Sequence, residues 1–282
     1  MSTINLPNGK VLNLSHPHVM GILNFTPDSF SDGGSYQHTD SAVNSALAML
    51  KNGATIIDIG GESTRPGAPD VALEEELSRV IPIIKAIREK SDCFISIDTS
   101  KAEVMRQAVL AGADIINDVR ALQEPNAMNV AAELKVPVCL MHMQGQPRTM
   151  QNNPEYDDVI NDIKQFFVER ISACEDVGIS RDKIILDPGF GFGKNLAHNY
   201  HILKCIDEFK MMGCEVLAGL SRKSMIGNLL GRNVDERLAG SIAGALIAAQ
   251  KGAKIIRVHD VTETVDALKV WQACEQGIIN EQ

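Results

Sequence analysis

The sequence predicts an α/β fold, a closed (β/α)8 TIM barrel forming one domain over residues 1–282. Eight short apolar runs alternate with longer amphipathic runs along the chain. The short runs are rich in Ile, Val and Leu on both faces, which is typical of parallel strands covered on both sides. The length of 282 residues also suits a single barrel of about 250 residues.

The eight predicted strands lie at 19–26, 55–61, 94–100, 115–119, 137–143, 184–189, 215–221 and 255–260. The spacing between them predicts helices that include 41–52, 74–90, 102–111, 157–177 and 236–251. Several helices end at a glycine, as at Gly53 and Gly112, which is the residue preferred just after a last helical turn.

The first residues, 4–14, predict a β-hairpin around Asn8 and Gly9 that closes the bottom of the barrel. The structural alternative is a doubly wound open sheet. That fold usually has a glycine-rich turn after its first strand, and the residues 24–27, Asn-Phe-Thr-Pro, do not form one.

Charge and hydropathy exclude some classes of function. The chain carries 27 basic and 36 acidic residues, a net charge of −9, which disfavours general binding to nucleic acid but allows a local cationic pocket. We expect no membrane span, because the longest apolar stretch, 241–249, is far below the about 20 residues needed. No basic segment followed by an apolar one opens the chain, so we expect no signal peptide and a cytoplasmic protein.

Each apolar run stops at a polar residue. These strand-end residues are Asn24, Asp58 with Glu62, Asp98, Asn117 with Asp118, His142, Asp187, Ser221 with Arg222 and Lys223, and Arg257 with His259 and Asp260. Because the carboxyl ends of barrel strands carry the active site, the pattern predicts one shared site.

The chemistry of these groups indicates a polar ring that bears an anionic group. Asp98, Asn117 and Asp187 offer acceptors and an amide to the edge of a flat heterocycle. Lys223 and the other strand-end cations, Arg257 and His259, suit phosphate or diphosphate.

Three further segments look functional. The loops at 24–34 and 60–67 are rich in Gly, Pro, Ser and Asp, and we expect them to be mobile lids over a second substrate. Residues 221–224, Ser-Arg-Lys-Ser, are predicted to open a helix whose free N–H groups favour a carboxylate or phosphate.

Eight sequence motifs together resemble those of the bacterial dihydropteroate synthases. They occur in the same order as in that family and extend from the first predicted strand to the last predicted helix. They are NFTPDSFSDGG, GGESTRPG, ISIDTS, INDV, LMHMQG, DPGFGFGKN, GLSRKSMIG and IIRVHDV. The resemblance implies condensation of (7,8-dihydropterin-6-yl)methyl diphosphate with 4-aminobenzoate, with loss of diphosphate, in folate biosynthesis. It also implies a Mg²⁺ cofactor, a homodimer and inhibition by sulfonamides.

The resemblance also implies roles for single residues. It assigns the pterin to Asp98, Asn117, Asp187 and Lys223, with Val119 and Met141 as walls; three of these, Asp98, Asp187 and Lys223, are the catalytic set. It assigns the diphosphate to Asn24, Arg257 and His259, and the metal to Asn24 and Asp32. It assigns the aminobenzoate to Phe30, Thr64, Arg65, Pro66, Phe192 and Ser221.

Three other functions remain compatible with a pterin-type barrel. A methyltransferase module that passes a methyl group from methyltetrahydrofolate to a corrinoid would share the pterin residues but lack the diphosphate site and both loops. A Schiff-base aldolase would need Lys223 as a desolvated lysine with a lowered pKa. A non-catalytic barrel would bind a pterin or a protein partner without turnover.

Overall fold

The fold is described for residues 3–25, 35–63, 68–145 and 154–276 by a computed structural model. Eight parallel strands close into a barrel, in which β3 pairs with both β4 and β10. The strands are β3 His18–Asn24, β4 Ile56–Gly60, β5 Phe94–Asp98, β6 Ile115–Asp118, β7 Val138–Met141, β8 Ile184–Asp187, β9 Glu215–Ala218 and β10 Ile255–Val258. The closed order confirms the predicted barrel and excludes the open doubly wound sheet.

Helices connect the strands and cover the outside of the barrel. They are α1 Ser35–Lys51, α2 Leu73–Arg88, α3 Ala102–Ala111, α4 Ala127–Leu134, α5 Val159–Asp176, α6 Leu196–Lys204, α7 Ile206–Lys210, α8 Ser224–Leu230, α9 Leu238–Gln250 and α10 Val261–Gln276. Helix α1 begins six residues before its predicted start at 41, whereas α3 matches its predicted bounds. Gly112 ends α3 at φ 119°, a conformation that glycine adopts without strain.

The N-terminal hairpin consists of β1, Thr3–Asn5, and β2, Val11–Asn13, which pair antiparallel. Its turn is closed by the Leu6 N–H, which donates to the Lys10 carbonyl at 2.9 Å. The buried hairpin side chains pack against the lowest inward-facing layer of the barrel; the cluster is Ile4, Leu6, Leu12, Leu14, Met20, Ile56, Ile115, Cys139, Ile185, Leu217 and Ile255. The hairpin therefore closes the barrel bottom, as predicted, and leaves the opposite end as the open mouth.

A larger apolar cluster fills the space between the strands and the helices. Strand residues such as Ile57, Ile97 and Ile116 contribute to it from the outer face of the barrel, and Phe167 and Phe209 from the helices. Within the described ranges, no helix is long and apolar enough to cross a membrane.

Candidate active site at the barrel mouth

Strand alternation decides which of the strand-end polar residues face the barrel mouth. Successive side chains point to opposite sides of a strand, so Asn117 and Asp118 face different ways. Asn117 points inside, where its Nδ2 lies 3.3 Å from both carboxylate oxygens of Asp58. Asp118 points outside and accepts the N–H groups of Arg120 and Leu122 at 2.8 Å.

His142 and Asp260 also face away from the mouth. The His142 ring packs edge-on against Phe166 at 5.0 Å between centroids, and burial lowers its pKa to about 2. Asp260 binds the Nε of Arg222 at 2.9 Å. The prediction of one site shared by all the strand ends is therefore wrong for these two residues, for Asp118 and for the Arg222 side chain.

Arg257 is the centre of the cluster that does face inside. Its Nε donates to Asp58 and its Nη2 to Asp98, both at 2.7 Å. Burial alone would lower the pKa of Arg257, but the two carboxylates outweigh burial and raise it above its ordinary value. The guanidinium stays charged and uses two of its five N–H donors in this bridge.

Asp98 has one carboxylate oxygen without a hydrogen-bond partner among the described residues. Its Oδ2 accepts from Arg257, whereas the buried Oδ1 has no hydrogen-bond partner within the described part of the chain. Burial raises the pKa of Asp98 to about 7; Arg257 opposes this shift and Asp58 reinforces it. Because buried acceptors are nearly always paired, this oxygen indicates a ligand that brings an N–H donor.

Gly60 opens a gap between Asn24 and Asp98 on the neighbouring strands. The three residues are in register across β3, β4 and β5. A Cβ at Gly60 would lie 3.2 Å from the Asn24 Oδ1 and 3.7 Å from the Asp98 Oδ2. A side chain at this position would crowd both residues, so glycine lets the Asn24 and Asp98 side chains approach each other across β4.

Asp187 and Lys223 form the other side of the mouth. The Asp187 Oδ1 accepts the Gly189 N–H at 2.8 Å, and burial raises the pKa of this carboxyl although Lys223 opposes the shift. The Lys223 Nζ donates to the Phe190 carbonyl at 2.6 Å and lies 4.6 Å from the centre of the Phe192 ring. Burial lowers the pKa of Lys223 to about 8, with Asp187 acting in the opposite direction.

The loop that carries Phe192 is held by the buried Lys194. Its Nζ donates to the carbonyls of Gly189 and Phe192 at 2.9 Å and of His142 at 3.2 Å. Gly189 has φ 71°, and a Cβ there would lie 1.9 Å from the His142 carbonyl oxygen. Lys194 thus shapes the loop, a role that the sequence motif around it did not indicate.

Ser221 and His259 lie side by side at the ends of β9 and β10. The Ser221 Oγ accepts the His259 N–H at 3.2 Å and lies 3.1 Å from the ring Nδ1. The helix predicted to open at 221 begins only at Ser224, so Ser221 lies in the turn before it. Val119 and Met141 are both buried. Met141 is the inward-facing last residue of β7, and Val119 directly follows β6.

Five of the predicted site residues lie outside the described ranges. They are Phe30, Asp32, Thr64, Arg65 and Pro66. The predicted lids at 24–34 and 60–67 are described only up to 25 and 63.

Asp58 is a site residue that the sequence pattern grouped with the other polar strand residues but to which it assigned no ligand or partner; it lies in the middle of β4. It is fully buried and receives both Arg257 and Asn117. Its in-register neighbours, Ile22 and Ser96, are an apolar and a small side chain, so strand ends alone do not reveal it. A signal was present: a carboxylate inside an apolar run requires a buried cationic partner.

Of the two residues predicted to hold Mg²⁺, Asn24 lies within the described ranges. No group of three His, Cys, Asp or Glu side chains in the described residues could hold a metal ion. Mg²⁺ prefers oxygen ligands and commonly keeps several waters and substrate phosphates. The Asn24 amide oxygen is a ligand of this type, and the second predicted ligand, Asp32, lies outside the described residues.

Comparison with known proteins gives one consistent family. The model for "Pterin binding enzyme" matches residues 20–259. The dihydropteroate synthase of Haemophilus influenzae is 59% identical over 266 residues, which are 94% of this chain and 97% of that protein.

Solved structures agree with this comparison. The Yersinia pestis dihydropteroate synthase in complex with a sulfonamide drug superimposes with a TM-score of 0.92 at 53% identity, covering 97% of this chain and 99% of the other. The Xanthomonas albilineans enzyme with 4-aminobenzoic acid has a TM-score of 0.92 at 50% identity and covers 98% of each chain. The chain therefore belongs to the pterin binding enzyme family and, within it, to the dihydropteroate synthases, which are transferases.

Proposed function

We propose that the barrel mouth binds (7,8-dihydropterin-6-yl)methyl diphosphate and condenses it with 4-aminobenzoate to 7,8-dihydropteroate and diphosphate. The observation that carries this assignment is the unpaired, buried Oδ1 of Asp98, next to the inward-facing Asn117. A pterin edge presents several N–H donors and a carbonyl, which match a carboxylate and an amide. Asp187 offers a second carboxylate, and Lys223 a donor, on the opposite side of the same opening.

The diphosphate would lie on the Arg257 side of the pterin. Arg257 keeps three N–H donors after its bridge to Asp58 and Asp98, and His259 follows it on the same face of β10. Asn24 and Asp32 would hold Mg²⁺ by their side-chain oxygens, and the ion would offset negative charge on the leaving diphosphate. This arrangement favours a reaction in which diphosphate leaves over the corrinoid methyltransferase alternative.

The reaction replaces a carbon–oxygen bond by a carbon–nitrogen bond and releases one proton together with diphosphate. The carbon–oxygen bond to the diphosphate breaks with its electron pair leaving on oxygen, which places positive charge on the pterin methylene. The buried carboxylates Asp98 and Asp187 stabilise that charge in a site of low dielectric constant. The neutral arylamine nitrogen of aminobenzoate then donates its lone pair to the methylene carbon, and no general base is needed before this attack. The N–H proton leaves after the carbon–nitrogen bond has formed and passes to water or to the released diphosphate.

The aminobenzoate would bind between the Phe192 ring and the turn at Ser221. Phe192 lies under the Lys223 ammonium, whose charge also attracts a carboxylate. Phe30, Thr64, Arg65 and Pro66 would complete this pocket from the two loops. Sulfonamides, which mimic aminobenzoate, would inhibit by occupying the same place.

We expect Lys223→Ala and Asp187→Asn to remove pterin binding while the fold remains. Both side chains point into the mouth and bond to the 189–191 backbone, outside the apolar core. Calorimetry with the pterin diphosphate measures the loss, and circular dichroism checks the fold. Pterin affinity equal to that of the wild type in either variant would overturn the assignment.

We expect Arg65→Ala to raise KM for aminobenzoate much more than the Kd of the pterin diphosphate. Arg65 belongs to the loop after β4, whereas the proposed pterin ligands stand on strand ends. Steady-state kinetics with each substrate varied in turn separates the two effects. Equal losses for both substrates would count against a separate pocket built by the loops.

Lys223 meets one condition of the aldolase alternative, because burial lowers its pKa to about 8. The Nζ, however, donates to the Phe190 carbonyl beside Asp187, an environment that holds an ammonium. Borohydride reduction in the presence of a carbonyl substrate tests this alternative, and we expect no covalent adduct on Lys223.

We also propose that the protein is a cytoplasmic homodimer. Large apolar side chains are exposed on α8, α9 and the turn between them: Leu229, Leu230, Val234, Leu238 and Ile247. An exposed apolar surface of this kind is typical of a protein interface. Sedimentation of the wild type and of Leu230→Glu tests it, since a dimer that uses this face dissociates in the variant.

A further inference from the structure

The turn that follows β9 contains a residue in an unusual backbone conformation. Arg222 has φ 57°, in the left-handed region. The Lys223 N–H donates to the Leu220 carbonyl at 3.2 Å, so Arg222 is the third residue of a four-residue turn. A positive φ at this position favours glycine or asparagine, and an arginine persists there only when its surroundings hold it.

Two residues of the neighbouring helical segment hold the peptide groups of Arg222. The Ser241 Oγ accepts the Arg222 N–H at 2.9 Å and donates to the Arg237 carbonyl at 2.8 Å. The Arg237 Nη1 donates to the Arg222 carbonyl at 2.9 Å. Ser241 is buried in α9, so its bond to the turn is shielded from water.

Gly227 leaves room for the Arg237 guanidinium beside the Arg222 carbonyl. A Cβ at Gly227 in α8 would lie 2.3 Å from the Arg237 Nη2. A side chain larger than that of glycine at 227 would therefore displace the guanidinium from the turn. The Arg222 side chain is held separately, by the bond of its Nε to Asp260 at 2.9 Å.

The held residue lies between two residues of the proposed site. Ser221 precedes it and contacts His259, and Lys223 follows it and contacts the Phe190 carbonyl. If Arg222 relaxed to negative φ, the chain after β9 would take another direction, and Ser221 and Lys223 would no longer face the mouth together.

We infer that Ser241 and Arg237 are positioning residues, which hold the left-handed turn at Arg222 and so set Ser221 and Lys223 for the condensation. Among the described residues, neither Ser241 nor Arg237 contacts a side chain that we assign to substrate. This inference rests on the proposed function, because its effect is measured as turnover of the two substrates.

The test is to compare Ser241→Ala combined with Arg222→Gly and Ser241→Ala combined with Arg222→Ala. Both double variants lose the contact to Asp260 and the Ser241 hydroxyl, so they differ in the ease with which residue 222 adopts a positive φ. We expect the glycine variant to have a kcat/KM about tenfold above that of the alanine variant, with a lower KM for aminobenzoate. The Arg222→Gly and Arg222→Ala single variants should differ less, because Ser241 still holds the turn.

A merely structural role would change the melting temperature of the variants without separating their kinetic constants. Equal kcat/KM in the two double variants, measured well below their melting temperatures, overturns the inference.

If the Ser241 variants do not fold, Arg237→Met replaces them. A raised KM for aminobenzoate that Arg237→Lys partly restores supports the inference, and unchanged kinetic constants overturn it. A wild-type chain without turnover overturns the proposed function and the inference together, which distinguishes that failure from equal double variants.

Discussion

Replacing Arg257 with leucine is expected to abolish turnover and to lower the free energy of unfolding by about 3–5 kcal/mol. Arg257 bridges two buried carboxylates, Asp58 and Asp98, at 2.7 Å each. Without the guanidinium the two buried carboxyl groups lose the cation that they share, so each either keeps an uncompensated charge or takes up a proton. Urea unfolding at pH 8, together with steady-state kinetics, measures the two effects.

The pH dependence of the free energy of unfolding of Arg257→Leu is a second test of the same contact. Arg257 lowers the pKa of Asp98, so its removal raises that pKa further above the unfolded value. As the pH falls, Asp98 takes up a proton at a higher pH in the folded state than in the unfolded state. The free energy of unfolding of the variant should therefore rise as the pH falls from 8 to 5. Arg257→Lys keeps a positive charge but cannot bridge both carboxylates. Its free energy of unfolding should therefore lie between those of the wild type and of Arg257→Leu. Wild-type stability in Arg257→Leu at pH 8 would contradict the account.

Asp98→Asn is expected to lower kcat/KM by about 10²–10³-fold. The substitution removes the negative charge that faces the developing positive charge and places an amide next to the pterin edge. Asp118→Asn is the matched control, because Asp118 is equally buried but faces away from the mouth and accepts backbone N–H groups. It should lower stability while leaving kcat/KM close to the wild-type value.

The free wild-type enzyme should also lose kcat/KM on the acid side with an apparent pKa of about 7. Burial raises the pKa of Asp98 to about 7, so the carboxylate gains a proton as the pH falls through this value. Folding stability has the opposite dependence, since a raised pKa favours the folded state at lower pH. A profile flat from pH 8 to 6, or one whose acid limb persists in Asp98→Asn, would contradict the role of Asp98.

The barrel could be predicted from the sequence because its signals are local and repeated. Apolar runs of strand length alternate with amphipathic helical runs, and Asn8-Gly9 marks the hairpin that closes the bottom. Where two polar residues are adjacent at a strand end, the sequence alone does not show which of them faces the barrel interior. Asn117 and Asp118 look alike in sequence, and the face of each follows from the register of β6 against β5.

Two features of the site had no clear sequence signal. Asp58 was visible as a polar strand end, but its pairing with Arg257 joins residues 199 positions apart. The left-handed turn at Arg222 has no glycine or asparagine to mark it, because Ser241 and Arg237 hold the conformation from another segment. Long-range contacts of this kind override local preference.

We expect the dihydropterin ring to bind inside the barrel mouth against the Asp98 Oδ1, which has no partner among the described residues. A crystal structure of the protein with the pterin diphosphate and Mg²⁺ can show this contact. We expect a ring N–H within about 2.7–3.2 Å of the Asp98 Oδ1, with Asn117, Asp187 and Lys223 also in contact with the ring. A ring bound outside the mouth, or an Asp98 Oδ1 that contacts only water, would contradict it.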